Sequence, residues 1–143
     1  MCLWIKNKEA LIAEKDIVCY KKLEELKRAN GEIAYYITPY MFSSVDTDMV
    51  SGKKPFKAKC TGYGGAHRRR EGVSDKHPEY SFTIESGYIH TYQNFKEACD
   101  GLYESDRIFE CIIPKGTKYY AGIFDGGAPS YASKEIIFKR LVF

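Results

Sequence analysis

No two of the five cysteines, Cys2, Cys19, Cys60, Cys99 and Cys111, form a C-x-x-C pair, and the nearest two stand 12 residues apart. An odd count without pairing excludes a disulfide framework and points to free thiols in a reducing compartment. Histidine is equally scarce. His67, His77 and His90 share no short spacing with one another or with a cysteine that would fix a tetrahedral site, so neither a metal nor a cofactor is expected. Long apolar runs are missing too. Charges interrupt the opening "MCLWIKNKEALIAEKD" every few residues, which leaves too little for a signal peptide or a membrane helix. The expected location is the cytoplasm, with no membrane partner. Repeats, low-complexity tracts and paired acids of the kind used in acid–base catalysis are absent.

What is present is a chain of 143 residues, the length of one domain, with 44% apolar residues. At that size folding buries roughly 68–70% of the unfolded surface. Tyrosine stands out, 12 against the single Trp4; its apolar ring and polar tip suit half-wet pockets and interfaces as well as ordinary strands. The net charge of +3 is too small to mark a binder of long nucleic acid. Its layout says more. Between Lys53 and Arg70 lie four lysines and three arginines and no acid, leaving −4 over the rest of the chain.

Apolar and turn residues divide the chain as follows. "DIVCY" (16–20) reads as a strand, and "KKLEELKRANGE" (21–32) as a helix with Leu23 and Leu26 three apart and a stop at Asn30-Gly31. "EIAYYITPY" (32–40) is a β-branched and aromatic strand. Residues 43–79 form a long basic, Gly-rich excursion with a short strand at "FKAKC" (56–60). "YSFTI" (80–84) is a strand. "QNFKEACDGLY" (93–103) is the best helix, with Asn94 and Glu97 spaced as a capping box and Phe95, Ala98, Cys99 and Leu102 on one face. "RIFECIIP" (107–114) and "KYYAGIF" (118–124) read as a hairpin. "DGGAPS" (125–130) is a turn, and "KEIIFKRLVF" (134–143) a last strand, apolar on both faces and therefore central. The expected fold is one α+β domain with a mainly antiparallel sheet of five to six strands and one or two helices.

Two constellations carry chemistry. In "GYGGAHRRREG" (62–72), Gly62, Gly64 and Gly65 permit backbone conformations that aim several N–H groups into one concavity, and His67, Arg68, Arg69 and Arg70 add donors for phosphate or carboxylate. The spacing is neither a Walker loop nor a dinucleotide fingerprint, and a solvated basic loop fits the same residues. In "SGYIHTYQNF" (86–95), strand alternation puts Tyr88, His90 and Tyr92 on one side, with His90 either an acid, base or ligand donor, or a histidine satisfied by nearby backbone. Cys19, Cys99 or Cys111 with His90 would make a nucleophilic pair, but each thiol reads as an apolar filler. Glu135 leads the last strand, where it either contacts a ligand hydroxyl or is solvated.

The stretches "IAEKDIVCYKKL", "YYITPY", "ESGYIHTYQNFKEA", "IFECIIPKGTKYYAG" and "SYASKEIIF" resemble a family of uncharacterised small proteins of gut bacterial mobile elements and bacteriophages, over about half the chain. That resemblance implies a phage-like setting and no particular chemistry. A second, fainter resemblance is to ADP-ribosyltransferases. It sets Tyr20-Lys21, His90-Thr91, "IIPKGT" (112–117) and Glu135 at that fold's functional positions, and for an enzyme it implies Glu135 and His90 as catalytic residues. Lys21 replaces the expected arginine, the Ser-Thr-Ser is missing, and Ser133 stands where a companion to the glutamate is expected. The resulting expectation is a non-enzymatic protein that binds a small anion, a nucleotide above all, through Gly64, Gly65, His67, Arg68, Arg69, Arg70, Tyr88, His90 and Tyr92. In a phage it would sequester a nucleotide signal of host defence. The alternatives are an ADP-ribosyltransferase-like enzyme that uses NAD, and an inhibitor of a host protein.

Overall fold

The computed structural model describes residues 3–7, 9–39, 43–58, 79–80, 82–84, 87–124 and 126–143, and 67–68 by their backbone. In chain order the elements are β1 (Leu3–Ile5), β2 (Leu11–Ile12), β3 (Ile17–Lys27), β4 (Ile33–Ile37), β5 (Ser44–Val45), α1 (Thr47–Val50), β6 (Phe56–Lys57), β7 (His67–Arg68), β8 (Phe82–Ile84), β9 (Ile89–Tyr92), α2 (Phe95–Ala98), β10 (Asp106–Ile113), β11 (Lys118–Ile123), β12 (Pro129–Ser133) and β13 (Glu135–Leu141). Among the described residues every strand pairing is antiparallel, along the path β6-β13-β10-β3-β9-β12-β11-β1-β8-β7; β2 joins β11, β4 joins β3, and β5 joins β4. This is a small α+β domain dominated by its sheet.

In place of the expected five to six strands, the sheet has thirteen among the described residues. Segments of two or three residues, such as β2, β5 and β6, are too short to show a period in sequence and exist because a neighbour offers them a ladder. The larger correction concerns 21–32. No helix forms there; β3 runs on to Lys27 with a buried, half-buried alternation in which Cys19, Lys21, Leu23 and Glu25 face inward. Leu23 and Leu26, three apart, therefore point to opposite sides. Helix-favouring Lys, Glu and Leu yield because β3 is paired on both flanks, in eight registered pairs with β10 and four with β4. Asn30-Gly31 is a turn as expected: Gly31 takes φ 85° and its N–H bonds to Arg28 O at 2.9 Å.

The expected helix over 93–103 shrinks to the four residues of α2. Asn94 holds the N-cap position without a capping hydrogen bond from its side chain, and only Ala98 is buried. The hairpin of 107–114 with 118–124 does not form either. β10 lies between β3 and β13, while β11 lies between β12 and β1. The Pro114–Thr117 turn instead binds the segment before β3, through Gly116 N to Ala13 O (2.8 Å) and Ala13 N to Thr117 O (3.0 Å). β13 is central only at its start: among the described residues β6 pairs with Glu135 and Ile136, beyond Ile136 only β10 flanks it, and Lys139, Arg140 and Leu141 are exposed. Within the 43–79 excursion, residues 44–57 carry β5, α1 and β6, and Asp46 Oδ1 caps α1 by accepting from Met49 N at 2.9 Å.

The buried side chains form two clusters. One joins Cys19, Leu23, Phe109, Cys111, Ile113, Ile136 and Phe138 with others; the second joins Leu3, Ile5, Ile84, Tyr88, Tyr120, Phe124 and Ala132. Each fully buried Leu, Ile or Phe contributes about 1.5–3 kcal/mol. The second cluster depends on one close approach. A Cβ on Gly122 would fall 2.0 Å from Trp4 O and 3.0 Å from Ile5 Cγ2. Gly122→Ala must push β1 off β11, and is expected to cost about 1–3 kcal/mol or more, read as a lower urea midpoint with unchanged slope.

Candidate anion-binding cleft

Three segments meet at one end of the sheet. The Pro114–Thr117 turn is held by Asp16 Oδ1, which accepts from Lys115 N at 2.9 Å. Gly116 takes φ 88° there, the left-handed conformation that glycine adopts without cost. The β12–β13 junction is tied to the start of β11 by Lys134 N bonding Lys118 O (3.1 Å), and the chain after β6 is tied to the junction by Ala58 N bonding Lys134 O (2.8 Å). Backbone bonds thus bring Lys57, Lys115, Lys118 and Lys134 to the rim of one open cleft of about 530 Å³, lined also by Ala58, Gly116, Thr117 and Glu135.

Four lysines and one glutamate line the cleft. Glu135 is three-quarters buried at the head of β13, and its Oε1 lies 3.7 Å from Lys57 Nζ. Lys134 is fixed: its Nζ donates to Gly87 O at 3.0 Å and sits 4.1 Å from the centre of the Tyr88 ring. That cation–π contact holds the charge in place through the ring's quadrupole. The Gly116 and Lys134 N–H groups are already engaged within the protein. Attraction in the cleft is therefore the work of side-chain charges rather than of a backbone nest.

Tyr88, His90 and Tyr92 share a side, as alternation requires, and Ile89 belongs to the opposite cluster. Tyr88 meets Tyr120 edge-on at 5.4 Å, Tyr92 meets Phe124 at 5.1 Å, and His90 stacks on Phe124 at 5.9 Å. The trio is a packed aromatic layer that reaches the cleft through Lys134. Among the described residues neither ring nitrogen of His90 has a hydrogen-bond partner, and both are shut from solvent. Burial, aided by the nearby Lys21 charge, lowers its pKa to about 3. It stays neutral at physiological pH, and it does not line the cleft where Glu135 sits.

His67 and Arg68 form β7, which pairs with Thr83 and Phe82 at the last position of the sheet path. Gly64, Gly65, Arg69 and Arg70 lie outside the described residues. Among the described residues no group of three or more His, Cys, Asp or Glu side chains is placed to hold a metal, and no helix is long and apolar enough to cross a membrane.

Sequence reading missed the four cleft lysines as a set. Lys115 and Lys118 flank a visible turn, but Lys57 joins them only through the pairing of Lys57 with Glu135 in β6 and β13. It also missed a buried polar pair on β3. Glu25, enclosed, accepts charge from Arg107 Nε and Lys27 Nζ, each at 3.4 Å. Lys21 Nζ donates to His90 O at 2.8 Å. No protein-family model, curated protein or solved structure matches this chain.

Proposed function

We propose that this protein is a non-enzymatic binder of a small anion, a nucleotide above all, and that the lysine cleft is where the anion docks. The observation that carries the reading is the convergence of Lys57, Lys115, Lys118 and Lys134 from three segments on one cleft with a single carboxylate. Its volume falls within the roughly 300–1,000 Å³ of small-molecule sites. Lysines act as point charges and select for charge rather than for a planar partner. The arginines Arg68, Arg69 and Arg70, with Gly64 and Gly65, belong to the same proposal as a second positive element. The setting implied by the phage-like resemblance makes sequestration of a nucleotide signal the proposed biological role.

Calorimetry against ATP, NAD, cyclic dinucleotides and cyclic ADP-ribose isomers tests the reading. Lys115→Glu with Lys118→Glu is expected to weaken the best ligand at least tenfold, about 1.4 kcal/mol, and salt to weaken binding to the wild type. Silence across the whole panel removes the proposal. The position of Glu135 in the cleft favours one second reading, an ADP-ribosyltransferase-like enzyme. The same preparations incubated with labelled NAD and lysate decide it: labelling lost in Glu135→Gln supports the enzyme, and equal labelling dismisses it.

A further inference from the structure

Cys19 and Cys111 are register partners on the two strands that share the longest ladder, β3 and β10. Both are fully buried in the same cluster, and both are free thiols. Directly opposed residues in an antiparallel pair have Cα atoms about 4.5–5.5 Å apart, inside the roughly 4.4–6.8 Å window of a disulfide. Their Cβ atoms are about 4.5–5.5 Å apart, against about 3.5–4.5 Å in a disulfide. Closing the bond therefore asks the strands to draw together slightly. β10 is already irregular on its other flank at this point, where its register with β13 shifts between Glu110 and Cys111.

We propose that Cys19 and Cys111 form a reversible redox pair, closed to a cross-strand disulfide by a two-electron oxidant of the hydrogen peroxide class and readily reopened by thiols. One thiol, as its thiolate, attacks a peroxide oxygen and becomes a sulfenic acid while water leaves. The second thiol then attacks that sulfur and a second water leaves. Two thiols are oxidised by two electrons and one peroxide is reduced to two waters. Lys21, next but one to Cys19 on the same face, is the basic group beside both sulfurs. Burial pushes the Cys19 thiol up to about 12 and holds the Cys111 thiol well above its ordinary range, while the Lys21 charge pulls both down. Closure is thus slow and requires local opening to admit the oxidant. Because the bond is strained, it reopens more easily than a structural one.

The test treats the full chain with hydrogen peroxide, blocks remaining thiols, and maps tryptic peptides. The expected product is a linked pair, "DIVCYK" (16–21) joined to "IFECIIPK" (108–115), with a loss of two hydrogens that millimolar glutathione reverses. Cys111→Ala, a small core change, is expected to lose that product while it still folds by circular dichroism. The proposal is overturned if both peptides stay alkylated, if either cysteine oxidises alone to sulfinic acid, if the links run to Cys2, Cys60 or Cys99 instead, or if glutathione does not reopen the bond.

Discussion

Acidification from pH 7 to pH 5 is expected to cost the fold about 2 kcal/mol at His90 alone. In the unfolded chain a histidine titrates near 6.5; in the fold His90 titrates near 3. A depressed folded value means that the unfolded state binds the extra proton first. The stability is whole above pH 6.5 and drains as pH falls toward 3. Each unit of separation is worth about 1.4 kcal/mol, so 1.5 units below the unfolded value gives about 2 kcal/mol. The cause is the place of the ring. It stacks on Phe124 in the aromatic layer, its nitrogens see no solvent, and protonation would set a cation there with the Lys21 charge nearby. His90→Phe keeps an aromatic against Phe124 and removes the titration. Urea unfolding at pH 7, 6 and 5 should show the wild type losing ground to the variant as pH falls. Parallel curves would show that the imidazole accepts its proton without penalty, and the burial argument would fail. Carboxylates titrate in both proteins alike, so the difference between the two curves isolates His90.

The parts of the fold that could be read from sequence are those where local pattern and tertiary demand agree. Asn30-Gly31, Pro114-Lys115-Gly116 and Gly126-Gly127 turn the chain as the sequence suggests, because glycine at positive φ and proline act over one or two residues; Gly116, Gly126 and Gly127 all take φ near 88°. The expected turn over 125–130 is shorter than that, since Pro129 and Ser130 already belong to β12 and Asp125 lies outside the described residues. "RIFECIIP" is a strand in both because its apolar alternation survives in β10. The misreadings share one cause. In "KKLEELK" the inward positions include Lys21 and Glu25, which look like surface residues until one knows that the amine bonds a backbone carbonyl and the carboxylate meets Arg107 and Lys27. With the charges assigned to solvent, a strand period disappears and a pair of leucines suggests a helix. The cleft was illegible for a related reason. Its lysines come from β6, the 114–117 turn, β11 and the β12–β13 junction, so no window of sequence contains them. Tyr88, His90 and Tyr92 were legible as a face because β9 and the residue just before it carry them, but not as an interior layer, since Tyr120 and Phe124 come from β11 and the residue just after it.

Lys21 supplies the other large effect, with the opposite pH window. Its amine is enclosed between β3 and β9, where the two strands share a single registered pair, Tyr20 with Tyr92. It donates to His90 O at 2.8 Å, taking the place of a ladder N–H that the short pairing does not supply. Burial lowers its pKa to about 8 from 10.5, and the neighbouring Cys111 and Cys19 oppose that shift. Between those values the unfolded chain holds the proton more tightly, so wild-type stability should rise with pH from 8 to 10.5, by about 3 kcal/mol in all. Lys21→Met fills similar volume, carries no charge and leaves His90 O without its donor, a loss of about 1–3 kcal/mol. At pH 7 the relief of burying no cation offsets that loss, and the variant should unfold near the wild-type midpoint. At pH 10 the wild-type amine is neutral and still donates, so the variant should fall behind by the cost of the unpaired carbonyl. Urea unfolding of both proteins at pH 7 and pH 10 reads the divergence. A gap that stays constant with pH would mean that Lys21 keeps its charge hydrated, and that β3 and β9 are joined there by something other than a buried amine.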